Sequence, residues 1–126
     1  MQTDYERIGE ERLRAVVADF IDRVYRDVII GFFFLRIDKA ALIEHEFRFA
    51  AAHLGGPKSY GGRTIAEAHR RHPINRGQFR RRLWLLENTL RDHGIEDDII
   101  ERWIQHNQLL ERVVTDGSEC VPTPNN

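Results

Sequence analysis

Leu13, Val16, Val17, Phe20, Ile21, Val24, Tyr25 and Val28 recur at offsets 0, 3, 4, 7, 8, 11, 12 and 15, the spacing of one apolar face on a 3.6-residue helix. A long amphipathic helix is predicted there, with Val28 on its buried side. Ahead of it, Thr3 and Glu6 stand at capping-box spacing and predict a short helical turn ending at Gly9. The apolar run from Ile29 to Leu35 finds no partner with period-two alternation elsewhere in the chain. It reads as a helix end entering a buried corner rather than as a strand.

Asp38 is placed to cap a second helix running to about Leu54, where Gly55, Gly56 and Pro57 supply a left-handed cap and a stop. One face of that helix carries Leu42, His45, Glu46 and Phe49, and the adjacent face carries Ile43, Phe47, Ala50 and Leu54. A histidine and a carboxylate thus interrupt an apolar stripe. After the loop KSYGG, Thr64 and Glu67 form a further capping box that opens a short helix from Ile65 to about Arg71. Pro73 ends it, because its ring disfavours helical geometry at His72. Asn75 and Gln78 repeat the capping pattern, and Phe79, Leu83, Leu86 and Leu90 mark the buried side of a helix that stops before Gly94, with Trp84 and Leu85 widening that side. A last helix, from about Asp97 to Val114, buries some combination of Ile100, Trp103, Ile104, Leu110 and Val114. The fold class is all-α, with about four main helices and one long glycine-rich connection.

At 126 residues the chain fits one domain, assigned to residues 1–116, with 117–126 as a disordered tail. Its 41% hydrophobic and 31% charged content, with a mean hydropathy of -0.51, describes a soluble globular protein. Lys plus Arg number 19 against 20 for Asp plus Glu, and a formal net charge of -1 argues against a nucleic acid as the main partner. The apolar stretch from Val28 to Leu35 is too short to span a bilayer as a helix, so no membrane partner is expected. The N-terminus alternates acid and base without an apolar core, which predicts a cytoplasmic protein. Cys120 stands alone, with no intrachain disulfide partner and no metal-ligand spacing around it.

The six histidines are His45, His53, His69, His72, His93 and His106. No GxSxG, HExxH or GxxxxGK[ST] pattern is present, so hydrolase and NTPase readings fall away and no catalytic residue is assigned. His69 and His72 have i, i+3 spacing, yet neither has a cysteine or a carboxylate on the same helical face. A different arrangement carries more weight: His69 on a short helix after a glycine-rich loop, and opposite it a helix that is apolar except for His45 and Glu46. A flat apolar cofactor held by one imidazole uses such a geometry. The competing reading makes His69 a half-exposed helix residue and His45 a hydrogen-bonded core residue, and periodicity alone leaves both open.

The segments YERIGEERLRAVVADFIDRV, FFFLRID, HLGGPKSYGGRTIAEAHRRHPI and QFRRRLWLLENTLRDHGI resemble the truncated hemoglobins, and the group I branch most closely. The resemblance spans roughly Tyr5 to Val114, and its most specific part is the GGP-x-x-Y-x-G-R block followed by A-x-A-H. It implies a two-over-two helical sandwich enclosing haem b. It implies His69 as the proximal iron ligand, with His72 as runner-up because Arg71-His72-Pro73 is similar to a pattern of another branch. By the same resemblance Tyr60 lies near the haem propionates, Phe34 packs against the haem plane, and Ile65, Ala68, Ile74, Phe79 and Leu86 line the proximal side. Leu42, His45 and Glu46 face the distal side, where His45 has the position that supplies a second iron ligand in some relatives.

The departures bear on function. The tyrosine that donates to bound oxygen in group I proteins is Ile21 here, and the usual distal glutamine is Glu46. An ionised carboxylate only accepts hydrogen bonds, so oxygen is expected to bind weakly or to oxidise the iron quickly. Arg82 stands where the pocket is normally apolar, and a pairing of Arg82 with Glu46 is expected to compensate. The Gly-Gly that precedes the first long helix in the family is Gly9-Glu10. Arg70-Arg71 and Arg80-Arg81-Arg82 read as solvated surface with propionate partners. The implied function is a haem globin handling a diatomic gas (O2 or NO) or electrons, the latter with a reductase partner and a redox or nitric oxide dioxygenase-like activity. The alternative is a globin-fold protein without haem that acts as a helical interaction or sensory module.

Overall fold

In the computed structural model, residues 1–56 and 74–111 are described, and they form five α-helices and one 3-10 turn. The helices are α1 (Asp4–Ile8), α2 (Glu10–Arg26), α3 (Lys39–His53), α4 (Arg76–Asp92) and α5 (Asp97–Gln108), and the 3-10 turn is Gly31–Phe34. No β-strand occurs among the described residues. Nor is any helix among them long and apolar enough to cross a membrane.

Local signals start each helix. Thr3 and Glu6 close a reciprocal capping box on α1, and Asn75 and Gln78 close one on α4. Asp38 caps α3 by accepting from the Ala40 amide. Each such cap satisfies amides that the helix cannot, worth about 1 kcal/mol. Gly9, at φ +88°, breaks α1 from α2, and Gly55, at φ +93°, takes the chain out of α3.

Helix α2 is the centre of the packing and touches α1, the 3-10 turn, α3 and α4, while α4 also packs on α5. Its Leu13, Val16, Val17, Phe20, Ile21 and Val24 are all buried, as the periodicity predicts. Val28 is not: it is 93% exposed. The helix ends at Arg26, and extended backbone at Asp27 turns the chain away. The Asp27 carboxylate then accepts from the amides of Ile29 and Ile30 at 3.1 Å each and from Arg81 of α4 at 2.6 Å. That hub, with the Asp27 side chain only 4% exposed, directs Ile30 and Gly31 inward and leaves Ile29, Phe32 and Leu35 exposed. The expected buried corner is therefore two residues wide. Gly31 fits there because a Cβ would stand 2.6 Å from the Tyr25 carbonyl oxygen.

Two further expectations change. Trp84 is exposed rather than buried, lying under the Arg81 guanidinium at 4.4 Å. Helix α5 stops at Gln108, with Leu109 exposed and Leu110 half-buried. The helix expected from Ile65, its Thr64–Glu67 cap, Val114 and Cys120 lie outside the described residues.

Candidate functional site

Helix α3 presents two faces, as its sequence pattern requires. Phe47, Ala50, Ala51 and Leu54 are buried, whereas Leu42, Glu46 and Phe49 are half-buried and His45 is exposed. Across from the second face, α4 carries Phe79 and Leu86, both buried, with Arg82 between them on the same side. Phe34 is half-buried against the core, 5.7 Å from the Tyr25 ring, and Ile74 is half-buried just before α4.

The polar groups of this region meet at Arg82. One terminal nitrogen donates to Glu46 Oε1 at 2.5 Å, and the other donates to Asn107 Oδ1 at 3.2 Å. Asn107 is buried, and its amide nitrogen donates to the Trp103 carbonyl oxygen at 3.0 Å. The guanidinium carbon stands 5.0 Å from the centroid of the Phe20 ring. Arg82 thus joins α3, α4 and α5 beside α2. Charge is balanced in a partly desolvated setting, where a lone ion would be costly. The sequence anticipated the Arg82–Glu46 pair but missed Asn107, although Ile100, Trp103, Ile104 and Asn107 keep helical spacing on one buried face.

A second group lies further along α3. Phe49 and His53 meet Trp103 and His106 of α5, with the two imidazoles stacked at 4.2 Å and 17°. Nε2 of each is buried without a hydrogen-bond partner among the described residues. Burial, with His106 alongside, pushes His53 down to about 3, against a weaker opposing pull from Asp4. Burial also lowers His106. Both rings are therefore neutral near pH 7. The sequence signal was present in the series Leu42, Glu46, Phe49, His53, which continues one helical stripe.

Of the residues singled out from the sequence, Glu46 and Arg82 are in direct contact, and Phe34, Leu42, Ile74, Phe79 and Leu86 contribute half-buried or buried apolar surface. His45 stands on the solvent side of α3. Tyr60, Ile65, Ala68, His69 and His72 lie outside the described residues. Among the described residues, no three His, Cys, Asp or Glu side chains converge as a metal site. The lining itself suits a flat apolar macrocycle. Phe34, Leu42 and Ile74 stay half-buried, and among the described residues Glu46 and Arg82 neutralise each other.

Comparison with known proteins bears on the family and the fold. The model of the bacterial-like globin family matches residues 3–115. A group 1 truncated hemoglobin of Tetrahymena pyriformis is 31% identical over 100 residues, covering 79% of this chain and 83% of that protein. One from Synechocystis is 32% identical over 105 residues, covering 79% of this chain and 85% of that protein. The crystal structure of the Tetrahymena pyriformis truncated hemoglobin in its Fe(III) form superposes with a TM-score of 0.85 at 27% identity, covering 93% of this chain and all of that one.

Proposed function

Because the chain belongs to the bacterial-like globin family, among whose members the group 1 truncated hemoglobins are its relatives, we propose that it holds haem b against the lining of α3 and α4 and handles a diatomic gas or electrons there. The observation that carries this reading is the half-buried apolar surface of Phe34, Leu42 and Phe49, set around a charge-neutral Glu46–Arg82 pair. Haem, when bound, supplies an iron that takes a small gas as reversible ligand or passes one electron. The chain's own residues do the rest. His69 would be the ligand that holds it, since imidazole is the only soft base that the sequence offers in the segment after the glycine-rich loop. Phe34, Leu42, Phe79 and Leu86 would exclude water from bound haem. His45, exposed on the turn between Leu42 and Phe49, would be a second imidazole available as a displaceable ligand.

Haem titration of His69→Ala tests this directly: haem retention should be lost or fall sharply, while His72→Ala retains it. The opposite pattern would move the fixed ligand to His72. The span of Glu46 to Arg82 between α3 and α4 favours one competing reading, in which that pair fills the pocket of a haem-free interaction module. A wild-type protein that shows no Soret band at saturating haem is the outcome that reading requires.

A further inference from the structure

Ile21 is 2% exposed and Phe20 beside it 1%, so α2 offers the site no side-chain hydrogen-bond donor at either position. Arg82 does. A guanidinium carries five N–H donors and no acceptor, and Glu46 and Asn107 engage one on each terminal nitrogen. Among the described residues, the Nε–H and one further N–H on each terminal nitrogen have no additional partner. The side chain is held from three directions: by Glu46 of α3, by Asn107 of α5, itself fixed on the Trp103 carbonyl, and by the Phe20 ring of α2. Its conformational freedom is spent when the protein folds, so donating to a ligand costs little further ordering. Phe20, Phe79 and Leu86 beside it are buried and the Arg82 side chain itself is 21% exposed, and such a partly desolvated setting strengthens a charge-assisted hydrogen bond relative to water.

We propose that Arg82 is the ligand-binding donor of this site and that it selects small anions, such as azide or nitrite, and ligands that gain negative charge on binding. The inference rests on the haem reading and deepens it. Glu46 sets the strength of the donor: while its carboxylate pairs with one nitrogen, an incoming anion meets a partly neutralised cation. Replacing that carboxylate by an amide of the same shape leaves Arg82 in place with more of its charge available. A purely structural role, bolting α3 to α5, makes a different forecast, because then nothing done to Glu46 or Arg82 alters the ligand beyond changes in stability.

The experiment is azide titration of the ferric haem-loaded full chain, followed at the Soret band. The C–O stretching band of the ferrous carbonyl form provides a field-sensitive readout independent of activity. Losing one charge-assisted hydrogen bond, Arg82→Leu should weaken azide at least about tenfold and raise the C–O stretching frequency. Glu46→Gln should tighten azide several-fold and lower that frequency. Should Arg82→Leu fail to fold, the Glu46→Gln arm decides alone, since it keeps the arginine. Azide affinity and C–O band at wild-type values in Glu46→Gln, or azide weaker than wild type, would overturn the proposal while leaving the haem reading intact. A wild-type chain with no Soret band would remove the haem reading and this inference with it.

Discussion

His45 and Glu46 are neighbours in sequence, and the helix sends them to different environments. Glu46 is half-buried on Arg82, and His45 is exposed. An α-helical step of about 100° per residue is enough to do this. Its consequence is that the polar pair is held in place while the imidazole stands toward solvent. If His45 is the displaceable ligand, the ferric and ferrous spectra of the haem-loaded protein should be low-spin and six-coordinate near neutral pH, and His45→Ala should convert them to high-spin or five-coordinate. A wild-type ferric spectrum that is already high-spin, and unchanged in His45→Ala, would place His45 at the solvent edge only. At this scale the sequence was partly legible. The Glu46–Arg82 pairing follows from opposite charges on two apolar faces, whereas Asn107 escaped notice because a lone polar residue on a buried stripe carries no partner information until helices α4 and α5 are brought together.

At the scale of elements, the stacked His53 and His106 hold α3 to α5 with aromatic surface from Phe49 and Trp103. Among the charged groups, Asp4 of α1 acts on His53 and favours its protonated form, but less than burial disfavours it. The unfolded chain binds a proton on His53 near its ordinary value of 6.5, while the folded protein resists until about 3. Stability from this pair is therefore fully present above pH 6.5 and is lost as pH falls from 6.5 toward 3, because the unfolded state takes up the proton first. Urea denaturation across that range should show a falling midpoint, and His53→Phe should flatten the slope while keeping the ring stack. An unaltered slope in His53→Phe would assign the acid sensitivity to other groups, such as Asp27, which Arg81 and two amides hold below the usual carboxylate range.

The elements themselves were legible wherever a cap or a period marks them. Thr3 with Glu6, Asp38, and Asn75 with Gln78 all cap as their spacing implies, and α2 buries the stripe its periodicity draws. The errors sit where tertiary contacts override local pattern. Val28 continues the apolar period but follows Asp27, whose bonds to Ile29, Ile30 and Arg81 end the helix first. Trp84 is apolar enough to suggest burial, yet it lies between the α4 stripe and solvent, covered by Arg81. The Asp27–Arg81 ion pair is not visible until α2 and α4 are packed, whereas the Arg81–Trp84 contact is an i, i+3 pair within α4 itself.

For the molecule as a whole, α2 supplies the core against which α3 and α4 stand, and Glu46 of α3 and Arg82 of α4 meet beside it. The same helices serve two purposes: Phe20 is core for α2 and a platform for Arg82. The central claim is that this site receives haem. The most direct measurement is titration of the purified wild-type chain with hemin, scored by Soret absorbance and by the pyridine haemochrome spectrum of the product. Saturation at one haem b per chain with a sharp Soret band is expected. Absorbance that rises only as the sum of protein and free hemin would contradict it.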